Sequence, residues 1–210
     1  MKVRRIAVGP LECNCYVVYD PETCEAAIID PGGDAGKIIN ICSAEGLSPL
    51  YLIATHAHAD HIGALPAVKE EYPEARLCLG QNEIDTYNDS LSNLTHTVGL
   101  KLTLPEPDQL LAEGDTVEFG SVILKVIHTP GHTRGSISLL AEGEEPAVVF
   151  CGDLVFRGGV GRTDLPGGDR ESLRASIKEK ILTLPPQTIV MTGHDQRTTV
   201  ENEMNTMDYS

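Results

Sequence analysis

Tryptophan is absent from this chain of 210 residues, and six tyrosines and three phenylalanines are its only other aromatics. The core must therefore rest on Leu, Ile, Val and Ala. Long apolar runs are missing as well. Nowhere do about 18 apolar residues stand together, which excludes a membrane-spanning helix. Met1 to Pro10 carries Lys2, Arg4 and Arg5 with no apolar stretch behind them. No signal peptide is expected, and a cytoplasmic location follows. The cysteines (Cys13, Cys15, Cys24, Cys42, Cys78 and Cys151) lack framework spacing, and most lie inside apolar runs. They read as buried free thiols in a reducing compartment. Cys13-x-Cys15 has no CxxC partner and falls short of a structural zinc motif. Positive charge is scarce too: 16 Lys and Arg stand against 31 Asp and Glu, a net charge of -15. Such a surface repels phosphate backbones, so a nucleic-acid partner is not expected.

The composition that is present is that of a soluble globular protein, 41% apolar and 22% charged. The length suits one domain, residues 1–210. Strand-like runs alternate with helical ones. Strands are expected over Val3–Val8, Asn14–Tyr19, Ala26–Asp30, Leu50–Ala54, Arg76–Leu79, Thr116–Phe119, Val122–His128, Ser136–Leu140, Ala147–Cys151 and Thr188–Met191. Helices are expected from an Asp34 cap to about Glu45, and over Ile62–Glu71, Arg170–Leu184 and Thr199–Met207. Thr86–Pro107 and Leu154–Asp169 read as irregular, and a long irregular loop in a compact domain is usually functional. Both halves run strands, helix, strand. That pattern predicts an α/β protein in four layers: two mixed sheets face to face with helices outside, an αββα sandwich.

The chemistry is concentrated after the Leu50–Ala54 strand, in Thr55-His56-Ala57-His58-Ala59-Asp60-His61. Three of the chain's seven histidines and one aspartate fall within six positions. The small alanines between them let four side chains converge, and imidazole with carboxylate suits Zn, Fe, Mn or Co. One loop supplies only part of a coordination shell. Three further strand ends carry polar residues behind a glycine: Gly131-His132, Gly152-Asp153 and Gly193-His194. Glycine there permits close backbone approach. His128 reads as structural and His96 as a surface residue.

Taken in order, His-x-His-x-Asp-His, Gly-His, Gly-Asp and Gly-His resemble the metallo-β-lactamase superfamily over nearly the whole chain. The resemblance implies the αββα fold and a set of roles. His56, His58 and His132 would hold one divalent ion. Asp60, His61 and His194 would hold a second, and Asp153 would bridge them. Two such ions, zinc by expectation with iron or manganese as alternatives, lower the pKa of a water between them. Asp60 would also orient that nucleophile.

Phe156-Arg-Gly-Gly-Val-Gly161-Arg162-Thr-Asp164, Asn14-Cys15-Tyr16 and His128-Thr-Pro-Gly-His132-Thr are similar to the glyoxalase II branch in its short, single-domain form. That branch implies hydrolysis of a small-molecule thioester such as S-lactoylglutathione, with Arg162 near the substrate. Arg162 could equally pair with Asp164 or Asp169. The chain departs from the branch after Gly193-His194, where it reads Asp195-Gln196-Arg197 instead of Gly-Pro, and no C-terminal helical domain is expected. That continuation is also similar to the persulfide dioxygenases, in which His56, His132 and Asp153 would hold one iron. A third reading is an inactive metal-binding or interaction domain. A monomer or small homo-oligomer is expected.

Overall fold

A computed structural model describes residues 1–206. The first sheet has the order β1 (Lys2–Val8), β2 (Cys13–Tyr19), β3 (Glu25–Ile29), β4 (Ser48–Ala54), β5 (Arg76–Gly80) and β6 (Gln109–Leu111). Its first three strands are antiparallel, and β3 to β6 run parallel. The second sheet contains β7 (Thr116–Phe119), β8 (Val122–His128), β9 (Ile137–Glu142), β10 (Val148–Gly152), β13 (Ile189–Thr192) and β14 (Thr198–Thr199). Its order is β14-β13-β10-β9-β8-β7, with β10 and β13 parallel. A small hairpin, β11 (Val155–Phe156) and β12 (Gly159–Val160), follows β10.

Alternation along β2 shows how the layers arise. Cys13, Cys15, Val17 and Tyr19 face one apolar cluster, while Tyr16 and Val18 face another. Successive side chains of a strand point to opposite faces, so a strand buried on both sides reads as a continuous apolar run. The first cluster lies under α1 (Ala35–Ala44) and α3 (Leu65–Glu71), through Ile38, Cys42, Leu65 and Val68. The second fills the space between the sheets, where Tyr16 meets Phe150 edge-on at 5.2 Å. A third packs Leu173, Ile177 and Ile181 on the outer face of the second sheet. The order is helix, sheet, sheet, helix, as expected.

Local differences from the sequence reading have local causes. The Ile62–Glu71 helix is two helices, α2 (Ala59–Ile62) and α3, separated at Gly63. A Cβ at Gly63 would lie 2.5 Å from the Gly32 carbonyl, so the chain breaks where it crosses another backbone. Asp34 does not cap α1 through its side chain: it is left-handed at φ 48, and its carboxylate accepts from Gly9 N and Lys37 Nζ. The Arg170–Leu184 helix is α5 (Arg170–Ser176) followed by a π-helical turn, Ile177–Ile181, closed by a Leu182 N–H to Ile177 bond of 2.9 Å. A 3₁₀ turn, Gln81–Glu83, and α4 (Ile84–Asn88) follow β5, and α4 runs into the first residues of the segment expected to be irregular from Thr86. The last helix, α6, is Val200–Thr206; its expected end at Met207 lies outside the described residues.

Candidate metal centre

Strands β4, β10 and β13 each deliver their C-terminal end to one edge of the sandwich, and the loop after β8 arrives beside them. The glycines there are sterically required. A Cβ on Gly152 (φ 51) would lie 2.3 Å from Thr55 Oγ1, and one on Gly193 would lie 2.1 Å from Asp153 Oδ1. Gly131, at φ 137, leaves 2.2 Å between its notional Cβ and Leu173. The backbones can close on the site only without side chains at these positions.

The side chains named from sequence converge. One nitrogen from each of His56, His58 and His132 falls in a group within 4.8 Å, and His56, His61 and Asp153 form another such group. His132 Nε2 stands 2.8 Å from His58 Nδ1. Asp153 sits among the rings: Oδ1 is 3.3 Å from His61 Nε2, and Oδ2 is 3.7 Å from both His132 Nε2 and His194 Nε2. Asp60 Oδ2 is 3.2 Å from His194 Nε2 and 3.9 Å from His61 Nε2. Two ligands on one tetrahedral ion, with bonds of about 2.0–2.1 Å, lie roughly 3.3 Å apart. The observed separations sit around that value.

Two of the rings are aimed from behind. His132 Nδ1–H donates to the Arg162 carbonyl at 2.8 Å, and His194 Nδ1–H donates to the Leu11 carbonyl at 3.0 Å. Both leave Nε2 facing inward, the usual way a ligating imidazole is fixed. Asn14 and Tyr16 hold the end of β13: Asn14 Nδ2 and Tyr16 Oη donate to the Thr192 carbonyl at 2.8 and 2.7 Å. That is a physical role for the Asn-Cys-Tyr segment.

Three contributors escaped the sequence reading. Asp30, at the end of β3, accepts from Thr55 N and Oγ1 and lies 3.0 Å from His61 Nδ1. Glu83, fully buried, accepts from Ala57 N at 3.0 Å and from Thr133 Oγ1 and Gly135 N at 2.8 Å. It thereby joins the loop of His56 and His58 to the loop of His132. Burial pushes its carboxyl up to about 7, against the pull of those donors. Cys13 is a buried thiol as expected, but its Sγ also groups with His61 and His194 within 4.8 Å. Burial raises that thiol to about 12. Asp30 follows a strand just before Pro-Gly-Gly, a weak signal; Cys13-x-Cys15 is set aside for want of a CxxC partner, and for Glu83 no local signal exists.

Outside the constellation, His128 Nε2–H donates to the Arg134 carbonyl at 2.9 Å, and His96 is exposed. Arg162 forms a forked pair with Asp164 on the rim, both bonds 2.8 Å.

The donor set fits divalent cations. Burial, then neighbouring imidazoles, drives His56 well below its ordinary value and His58 to about 3. These rings are neutral at pH 7 and offer lone pairs. His56 Nε2, His61 Nε2 and Asp153 Oδ1 are buried with no hydrogen-bond partner. Buried polar atoms are normally satisfied, so a cluster of orphans aimed at one point is where a cation belongs. The model of one family, the metallo-beta-lactamase superfamily, matches residues 8–194. The chain belongs to that superfamily. It is 36% identical to a hydroxyacylglutathione hydrolase, GloC, of Haemophilus influenzae, over 97% of this chain and 95% of that one. Among solved structures it is similar to the B3 metallo-beta-lactamase BLEG-1, with 41% identity, TM-score 0.89 and 97% of each chain covered. It is also similar to TTHA1623 in a di-iron-bound form, with 36% identity, TM-score 0.86, and 99% of this chain and 100% of that chain covered. No helix among the described residues is long and apolar enough to cross a membrane.

Proposed function

We propose that the protein is a two-metal hydrolase of small-molecule thioesters of the hydroxyacylglutathione type. The position of Asp153 carries this reading: one carboxylate reaches toward His61 with one oxygen and toward His132 and His194 with the other. That supports His56, His58 and His132 as ligands of one ion, Asp60, His61 and His194 as ligands of the second, and Asp153 as the bridge. Bound there, zinc or iron ions would supply Lewis acidity and bring a water's pKa toward neutrality. The chain's own part is orientation. Burial pushes the Asp60 carboxyl up, but its bond to His194 holds it below the usual carboxylate range, so it stays an acceptor at pH 7 and can take a hydrogen bond from the nucleophile. A persulfide dioxygenase would need only His56, His132 and Asp153; the convergence of four more donors supports the hydrolase. GloC is matched over 95% of its length, so a protein of about this size already bears that name.

The test is release of free thiol from S-lactoylglutathione by metal-replete protein. Turnover should vanish with a chelator and return with zinc or iron. Asp60→Ala should lower turnover by about 100-fold or more, as expected when a group oriented on the transition state is lost, and one metal per chain should be lost while the circular dichroism stays native. Full turnover in that variant would remove the two-metal assignment. Similarity to BLEG-1 supports a second acyl substrate, a β-lactam, for the same donors. Faster hydrolysis of nitrocefin than of the thioester would replace the first reading. Arg162 is proposed to meet an anionic group of the substrate by exchanging Asp164 for it. Arg162→Ala should then raise KM for anionic thioesters more than for neutral ones, and equal effects would leave it a loop pair.

A further inference from the structure

The strongest feature outside the metal centre is electrostatic. At the lateral opening between the sheets lies a cavity of about 580 Å³ lined by Val3, Arg5, Arg157, Met191, Gln196 and Arg197. Its walls come from both edge strands. Val3 and Arg5 stand on β1, on the face turned to the second sheet, since Val3 packs on the inter-sheet cluster while Ile6 and Val8 face the helices. Arg197 immediately precedes β14, and Arg157 follows β11. Three of the chain's nine arginines therefore meet here, on a molecule of net charge -15.

Among the described residues no carboxylate lines this cavity. Arg5 Nε donates to the neutral Asn14 Oδ1 at 2.7 Å, and Arg157 donates to the neutral Gln196 Oε1 at 2.9 Å. Among the described residues none of the three has an ion-pair partner. Elsewhere the chain pairs its cations freely, as in Arg4 with Glu45, Lys37 with Asp34, Lys69 with Asp108, Arg162 with Asp164 and Lys180 with Glu113. Like charges brought together in a concave space repel one another and concentrate anions. Guanidinium forks are matched to carboxylate and phosphate oxygens. The volume falls in the range of small-molecule sites, roughly 300–1,000 Å³.

The cavity also comes close to His194. A second cavity, of about 530 Å³, shares Arg5 and Gln196 with it and has His194, Leu11 and Glu12 in its wall. We propose that the arginine cavity is a binding site for a small polyanion bearing at least two carboxylate or phosphate groups, and that it seats the anionic arm of the thiol carrier whose thioester lies beside His194. The second half rests on the thioester reading; the first does not.

Isothermal titration of the metal-loaded enzyme with two probes that lack a thiol separates the sources. S-methylglutathione offers carboxylates, and adenosine 3′,5′-bisphosphate offers phosphates. One of them should bind at one site per chain with an affinity that falls as salt is added. Arg157→Gln and Arg197→Gln should each weaken it about tenfold, the effect of one charge-assisted hydrogen bond, whereas Arg76→Gln on β5 should leave it unchanged. The arginines are exposed, so these variants should fold. Tighter binding of the bisphosphate names a nucleotide-type carrier, and tighter binding of the peptide names an acidic peptide carrier. Binding of neither probe, equal binding to wild type and the arginine variants, or a change of oligomeric state by light scattering in those variants would overturn the site. None of these readouts needs turnover, so a failure of thioester hydrolysis leaves them intact. If hydrolysis holds, Arg197→Gln should raise KM at unchanged kcat, and an unchanged KM with weakened probe binding would overturn the carrier assignment alone.

Discussion

Glu83 touches none of the converging imidazole nitrogens, yet it sets the spacing between two of the loops that carry them. Its Oε1 takes the Ala57 N–H between His56 and His58, and its Oε2 takes the Thr133 hydroxyl and the Gly135 N–H just past His132. A carboxylate can accept at both ends. Glutamine cannot, since its amide nitrogen must face either Ala57 N–H or Gly135 N–H and leave that donor orphaned, at about 1–3 kcal/mol. Glu83→Gln should therefore lower the melting temperature, and it should also weaken metal binding by about 10–100-fold, the range for residues that orient ligands from behind. Competition with a chromophoric chelator and the visible spectrum of the cobalt-loaded protein would report it. Lower stability with unchanged affinity and spectrum would make Glu83 a purely structural clasp.

At the scale of elements, the centre is a set of strand ends brought to one edge, with glycines letting them close. Gly193 shows how tight this is, for a methyl group there would press on Asp153 Oδ1 at 2.1 Å and His61 Cε1 at 3.0 Å. Gly193→Ala should displace the carboxylate and weaken metal binding by about tenfold or more, with a native circular dichroism spectrum because β13 itself is untouched. Unaltered metal content after gel filtration would show that the loop can yield. These glycines and the converging His and Asp side chains after them were legible because an apolar strand ending in Gly-His or Gly-Asp is a local pattern. The layer order was legible for the same reason, through alternation and length. Asp30 and Glu83 were not, because their partners are backbone N–H groups and hydroxyls from residues about 25 to 52 positions away. The three-residue β6 and two-residue β14 are shorter than any period can mark. The break at Gly63 depends on Gly32, which no helical pattern contains.

At the scale of the whole molecule, the two sheets are tied together at both ends, and only one tie serves the metal centre. At that end Asn14 and Tyr16 of β2 hold the Thr192 carbonyl of β13. At the far end of β2, Asp20 accepts from Ser121 N at 2.6 Å and Glu22 N at 2.7 Å, and Glu25 accepts from Gly120 N at 2.6 Å. Ser121 and Gly120 form the turn between β7 and β8, so these carboxylates grip the opposite sheet. The Ser121 N–H, then that of Glu22, holds the Asp20 carboxyl well below the usual carboxylate range. The sign follows from linkage: a carboxyl whose folded value lies below its unfolded value of about 3.9 stabilises fully above that pH and loses the contribution as protons bind. In chelated protein, where metal loss cannot intervene, wild type should melt above Asp20→Asn at pH 6, and the gap should close as the pH falls below about 3. Thermal unfolding followed across that range decides it. A gap that persists unchanged into acid would mean that the tie depends on shape, with the aspartate's charge contributing nothing.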